Sequence, residues 1–403
     1  MDWEVKKLGE VMIIERGGSP RPIEKYLTDS TDGINWIKIS DATASDKYIF
    51  ETQQKITREG LSKTRIVNEG DFILSNSMSF GRPYIMKITG CIHDGWLVLR
   101  NKPEYKLDKD FLYYLLSSPY VYQQFNGLAA GSTVRNLNIG LVSSVKIPIP
   151  PISEQKRIVA ILDKAFENIS KAKENAEKNL NNANEIFESY LQSVFENKGE
   201  GWEEKTLSQI TSLLGDGLHG TPKYTEDGEY YFINGNNLNN GNIVFKKDTK
   251  RVSVLEFEKY KKDLNDKTIL VSINGTLGNV AFYNNEKIIL GKSACYFNLL
   301  EGVDKNFIKY ILISPYFLNY AHKEATGATI KNVSLKTMRE LKINLPPLKE
   351  QQIIVKKLDK LSQETKKLES IYDKKLSDLE ELKKSILQKA FKGELIEVSA
   401  WMT

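Results

Sequence analysis

The chain has 403 residues, 40% of them hydrophobic and 27% charged, the balance of an ordinary soluble protein with length for two or three domains. Two cysteines and three histidines are too few for a disulfide framework or a paired zinc site. No apolar run approaches the ~18 residues of a membrane span. Met1-Asp2-Trp3-Glu4-Val5 lacks the apolar stretch of a signal peptide, so a cytoplasmic protein is expected. The net charge of +5 permits contact with nucleic acid without requiring it.

Residues 1–150 alternate short β-rich runs, such as Ile34–Ile39, Phe72–Leu74 and Trp96–Leu99, with Gly/Asn/Ser turns. A helix is predicted over Phe111–Leu116, stopped by Ser-Pro. The mixture reads as an α+β module. Cys91 sits in an apolar segment and is expected to be a buried thiol. Polar loops supply the candidate nucleic-acid contacts: Ser19 and Arg21 in the Arg16–Pro22 loop, then Lys38 and Ser40, then Asn76, Ser79 and Arg82 in the loop after a strand. A fourth loop, Gly131–Asn136, adds Thr133, Arg135 and Asn136. Arginine reads guanine through a two-pronged contact and asparagine reads adenine, while hydroxyls and backbone N–H groups hold phosphates. The same residue types also build ordinary turns, so each loop taken alone has two readings.

Pro150-Pro151-Ile152-Ser153-Glu154-Gln155 then opens a different pattern. Apolar or small residues fall at Leu162, Phe166, Ile169, Ala176, Leu180, Ala183, Phe187, Tyr190 and Val194, with Lys173 filling one slot. Steps of four and three sustained this long predict a coiled-coil seam. The prolines precede the helix, where a missing N–H is harmless, and Glu154 suits the first turn.

The second half repeats the first at a constant offset. Asp108–Tyr120 returns as Asp304–Tyr316, Gly131–Asn136 as Gly327–Asn332, and the Pro-Pro block as Pro346-Pro347-Leu348-Lys349-Glu350-Gln351. Trp202-Glu203 matches the module start at Trp3-Glu4, with a small length difference between the copies. A period this long is a domain duplication, because solenoid units run only ~20–50 residues. The stretches 30–100 and 225–300 share strand-rich character but little identity, as expected of one scaffold carrying two different variable faces. The second module's candidates are His219 and Thr221, then Asn236 and Asn237, then Asn274 and Thr276, with Thr329, Lys331 and Asn332 on the repeated loop. That loop suits a shared phosphate contact or, equally, a cap on the coming strand. Cys295, like Cys91, is expected to be buried. The second seam runs Leu358, Leu361, Thr365, Leu368, Tyr372, Leu379, Leu382 and Ile386, broken by Lys375.

The expected organisation is a module at 1–150, a long helix within 151–199, a module at 200–345, a long helix within 346–397 and a tail at 398–403. Helices of roughly 40–45 residues would be ~60–65 Å long, spacers rather than core helices. The expected fold class is α+β, two similar modules separated by two long antiparallel coiled-coil helices with a pseudo-twofold internal repeat. Homodimerisation or partner docking through the same stripes is the alternative use of the helices.

Catalysis has little footing. An amino-methyltransferase grips its target with an Asn/Asp-Pro-Pro-aromatic loop, whereas here Ile149 and Leu345 precede the proline pairs and Ile152 and Leu348 follow them. No glycine-rich S-adenosylmethionine loop follows an N-terminal strand, and Glu381-Leu382-Lys383 lies on a coiled-coil helix rather than in a nuclease cleft. A scaffold without sequence preference is the other rival.

With these features in hand, the chain resembles the specificity (S) subunit of type I restriction-modification enzymes over essentially its whole length. The two Pro-Pro starts with their long helices are similar to that family's conserved regions. Leu74–Pro83 followed by Ile92-His93-Asp94-Gly95-Trp96 resembles one version of its target recognition domain, and Ile273–Gly278 resembles another. The resemblance implies two target recognition domains, each reading half of a bipartite double-stranded DNA target, with the helices as a ruler for the spacer. It further implies two docked modification subunits that methylate adenine with S-adenosylmethionine, restriction subunits joined through them, and no catalytic, cofactor or metal residue in this chain.

Overall fold

In a computed structural model, the structure describes residues 3–76, 81–129, 136–327 and 329–395. The chain forms two compact units, one of residues 1–176 with 374–403 and one of residues 177–373. Each unit therefore takes one module and part of both long helices.

In the first unit, Glu4–Lys7 pairs antiparallel with Lys146–Ile149, tying the two ends of the module together. A five-stranded sheet runs in the spatial order Met12–Arg16, Trp96–Asn101, Phe72–Ser75, Pro83–Met86 and Tyr48–Ile49. Its central strands read as unbroken apolar runs because both faces are covered. Leu97 and Leu99 join one core with the helix Lys109–Leu116, while Trp96 and Val98 join a second core beneath the other sheet. That other sheet contains Ile34–Ile37 paired parallel with Gly90–Ile92, an arrangement that needs a long crossover. Cys91 is fully buried in it.

The second unit repeats this plan with fewer strands. Glu203–Thr206 pairs with Lys342–Leu345. Thr211–Asp216, Ala294–Leu299, Thr268–Ser272 and Val280–Phe282 form the larger sheet in the same spatial order. Tyr230–Ile233 pairs parallel with Ile288–Leu290. Cys295 is buried, as its apolar neighbours require.

The repeated sequence blocks are the parts that hold each module to its helices. Asp108 caps the helix Lys109–Leu116 by accepting from the backbone N–H groups of Asp110 and Phe111, and Asp304 does the same for Lys305–Ile313. Gln155, 1% exposed, accepts from the Asp108 backbone N–H at 2.8 Å and donates to the carbonyls of Pro150 and Lys106 at 2.9 and 3.3 Å. Gln351 makes the same three bonds to Asp304, Pro346 and Gly302 at 2.8, 2.8 and 3.1 Å. The Tyr114 hydroxyl bonds Asp163 and the Tyr310 hydroxyl bonds Asp359, so each module helix is also pinned to the long helix beside it.

The long helices span Ile152–Glu196 and Leu348–Phe391, 45 and 44 residues. In the first unit they pack antiparallel: Phe166 lies under Lys383, and Lys173 pairs with Glu380 at 2.9 Å. The lysine in the seam is thus matched by a partner charge. In the second unit Leu191 and Phe195 share a core with Val355 and Leu358. The seam departs from the predicted one near the end of the first helix, where Leu191 is buried and Tyr190 is 37% exposed. A straight helix drifts ~20° per heptad against a 3.5-residue repeat, so over this length the buried stripe slips by one position. Leu368 and Leu382, expected in the second seam, are likewise more than two-fifths exposed, while Thr365 is buried as expected.

Candidate nucleic-acid interface

In the first module the turn His93–Gly95 is the hub on which the predicted loops converge. It lies between the strand Gly90–Ile92 and the central strand Trp96–Asn101. Gly17 and Gly18 donate to the carbonyls of Trp96 and Ile92 at 3.0 and 3.1 Å, laying the first loop across it. A Cβ on Gly17 would stand 2.0 Å from the His93 carbonyl oxygen, so only glycine permits the crossing. The Ser19 hydroxyl donates to the Asp94 carboxylate at 2.7 Å, and Arg21 reaches its other oxygen at 3.4 Å. Asn76 comes in from the hairpin side, its backbone N–H on the Gly95 carbonyl at 3.0 Å and its side-chain amide on the Asp94 carbonyl at 2.9 Å. The Asn76 carbonyl accepts from Leu137 at 2.8 Å, which carries the end of the fourth loop, with Asn136, to the same place. Lys38 and Ser40 follow the strand that pairs with Gly90–Ile92, and the Trp36 ring lies 6.1 Å from His93.

The placements differ in kind. Arg21 and Ser40 are exposed and Lys38 is half-buried, its backbone N–H donating to Asp41. Ser19 is half-buried against Asp94. Asn76 is 1% exposed, so its expected contact with nucleic acid gives way to a role in holding the loops, since its amide N–H already serves the Asp94 carbonyl. The side-chain oxygens of Asn76 and Asn136 are both buried with no partner among the described residues. Arg82 is exposed but stands apart from the hub, stacked on Tyr84 at 5.1 Å and reaching Ser45 and Asp46 at 3.4 and 3.7 Å. Ser79, Thr133 and Arg135 lie outside the described residues.

In the second module Gly291–Ser293 is the hub. A Cβ on Gly217 would meet the Leu290 carbonyl oxygen at 2.1 Å, the same close crossing as at Gly17. Leu218 donates to Leu290 at 2.7 Å and accepts from Lys292 at 3.0 Å, which sets His219 beside the hub. The Ser293 hydroxyl accepts from the Gly235 N–H at 2.9 Å and donates to Asn234 at 3.0 Å. The Ser293 carbonyl accepts from Ile273 at 3.0 Å. Gly275 then donates to Lys331 at 2.9 Å, and the Asn274 amide donates to Asn332 at 3.0 Å, so the hairpin and the repeated loop are bonded together.

Thr221, Asn236, Thr276, Thr329 and Lys331 are exposed, and Asn274 and Asn332 are half-buried. His219 is exposed, with its ring nitrogen 2.6 Å from Asp216. Asn237 is 5% exposed and its amide is consumed inside: it accepts from Asn234 at 3.0 Å and donates to Val244 at 3.0 Å. Its expected base contact is therefore replaced by shaping the loop that presents Asn236. Beside that loop opens a cleft of about 120 Å³ lined by aromatic, amide and basic groups, among them Tyr224, Phe232, Asn236, Lys246 and Lys250, and by the carboxylate of Asp248.

Asp94, Ser293, Lys292, Lys246 and Lys250 were not among the expected site residues. A signal for the hubs exists in Gly17 and Gly217, glycines next to the loops and placed where chain must cross chain. The charge state of the first hub follows from its contacts. The Ser19 hydroxyl first, then the residue's own backbone N–H and the Arg21 guanidinium, hold the Asp94 carboxyl below the usual carboxylate range. Burial pushes the His93 imidazole down, and its Nδ1 accepts from the Gly95 N–H at 2.9 Å, so the ring is neutral.

Among relatives, the putative type I restriction enzyme MjaX specificity subunit of Methanocaldococcus jannaschii is 27% identical, over 98% of this chain and 94% of its own length. The type I restriction enzyme StySPI specificity subunit of Salmonella potsdam is 26% identical over 73% and 67%. A chain solved in work on complex assembly and conformational transition of the type I R-M system superposes with a TM-score of 0.75 at 20% identity, covering 98% of both chains. The crystal structure of the HsdS subunit from Thermoanaerobacter tengcongensis gives 0.61 at 20% identity, covering 98% of this chain and 97% of that one, so the fold is shared. No helix among the described residues is long and apolar enough to cross a membrane. The family model for the type I restriction modification DNA specificity domain matches twice, at residues 1–180 and 199–376, one copy for each structural repeat, and the chain belongs to that family of DNA specificity subunits.

Proposed function

We propose that the chain acts as the non-catalytic DNA reader of a cytoplasmic type I restriction-modification complex, with each module reading one half of a bipartite duplex target. Two modification subunits dock on it and methylate adenine, and restriction subunits join through them. S-adenosylmethionine belongs to the modification subunits in this reading. The observation that carries it is the duplicated hub: in both modules, loops distant in sequence are hydrogen-bonded onto one turn and present different side chains from it. A scaffold protein would have no use for a shared frame bearing unlike polar faces. Exposed Arg21, Ser40 and Arg82 with half-buried Lys38 in one module, and exposed Asn236, Thr276, Thr329 and Lys331 in the other, are the proposed contact residues. The long helices, held to the modules by Gln155 and Gln351, are the proposed ruler for the spacer.

The test is methylation-site sequencing of DNA from cells expressing this chain with its modification subunit. The expected result is one motif of two specified parts separated by a fixed unspecified spacer. Binding should also weaken steeply with salt, since each phosphate neutralised releases counterions. A single continuous motif, or none, would refute the reading.

A further inference from the structure

We propose that Asp94 is a specificity-determining positioning residue: it holds the Arg21 guanidinium by one edge so that the other edge reads a single base, a guanine, in the half-site of the first module. The inference rests on the DNA-reading function proposed above.

A carboxylate at the meeting point of DNA-facing loops is a liability unless it has a use, because it repels phosphate. Asp94 is 43% exposed at its side chain and Arg21 is 81% exposed. Asp94 is itself held in place. One oxygen accepts from Ser19 at 2.7 Å, and the residue's carbonyl accepts from Asn76 at 2.9 Å and from the Arg16 Nε at 3.1 Å. His93 does not compete for the charge, since its near nitrogen accepts from Gly95 and the ring is neutral. The second Asp94 oxygen is left facing Arg21 at 3.4 Å.

A free arginine has many rotamers and is drawn to any phosphate. Guanine reading needs the guanidinium plane set so that two N–H groups meet O6 and N7. A carboxylate bound at one nitrogen leaves that opposite fork open and discourages the phosphate-bound alternative by repulsion. Ser19 then orients the carboxylate, and the Arg21 loop is seated by Gly17, which tolerates no side chain.

The experiment measures base preference at every half-site position, by methylation of a randomised target library, for the complex of this chain with its modification subunit. Arg21→Ala should lower the guanine preference at one position of one half-site by roughly tenfold or more. Asp94→Asn, which keeps shape and the Ser19 bond but removes the charge, should erode preference at that same position only. It should also raise binding to non-cognate DNA and steepen its salt dependence by about one phosphate, because the freed arginine turns to the backbone. The double variant Arg21→Ala/Asp94→Asn should be no less selective than Arg21→Ala alone. Ser19→Ala should give a milder loss at the same position, and it decides the matter if Asp94→Asn melts early. An unchanged profile in both Asp94→Asn and Ser19→Ala, loss spread evenly over the half-site, or additive effects in the double variant would overturn the proposal. If the unaltered complex shows no two-part motif, the broader reading fails first, which distinguishes the two.

Discussion

Gln155→Leu removes three of the bonds that join the first module to its long helix while keeping side-chain volume nearly constant. Three backbone groups lose their partner: the Asp108 N–H and the carbonyls of Pro150 and Lys106. Each buried polar group left unsatisfied costs about 1–3 kcal/mol. Asp108 is only half-buried and Lys106 is exposed, so both regain some water and a total of about 2–4 kcal/mol is expected. For a unit of this size a urea m-value of roughly 2 kcal/mol/M turns that into a midpoint lowered by about 1–2 M. Gln351→Leu should cost the second unit the same, because its three bonds repeat the first set. The assay is urea unfolding followed by circular dichroism, read as two transitions if the units part company. A shift of less than about 0.3 M in both variants would refute the reasoning.

Tyr310 is 3% exposed and its hydroxyl donates to Asp359 at 2.6 Å; burial first, then that carboxylate, holds it well above the usual tyrosine range. A raised folded value contributes stability fully present below the unfolded value of about 10 and lost as pH climbs above it, at about 1.4 kcal/mol per pH unit. Tyr310→Phe should therefore flatten the fall of the urea midpoint between about pH 10 and 12; an unchanged slope would contradict it. Inserting about seven residues into both long helices, about 10.5 Å of rise, should lengthen the methylated spacer by about three base pairs, and an unchanged spacer in a folded, active complex would remove the ruler from the account.

Much of the frame was legible because duplication writes each structural device twice. Gln155 and Gln351, Asp108 and Asp304, and the two Pro-Pro starts stand out by recurring, and each proves to be a bond between module and helix. The site was legible only as a set of loops. Asparagine at a turn announces a polar group but not the direction it faces, so Asn76 and Asn237 looked equal to Asn236 until the fold buried two of the three. The hubs were hidden for another reason. His93–Gly95 and Gly291–Ser293 become central only through parallel pairing with strands far away in sequence, Ile34–Ile37 and Tyr230–Ile233, and no local pattern encodes a long crossover. The slip from Tyr190 to Leu191 is the drift between 3.5 and 3.6 residues per turn, too small to see within a few heptads.

Methylation-site sequencing of two single variants, Arg82→Ala in the first module and Asn236→Ala in the second, most directly tests whether two independent readers share one chain. Each substitution should relax preference in one half of the motif and leave the other half intact, and the affected halves should differ between the two. Loss in both halves from either substitution, or loss in the same half from both, would contradict modular reading.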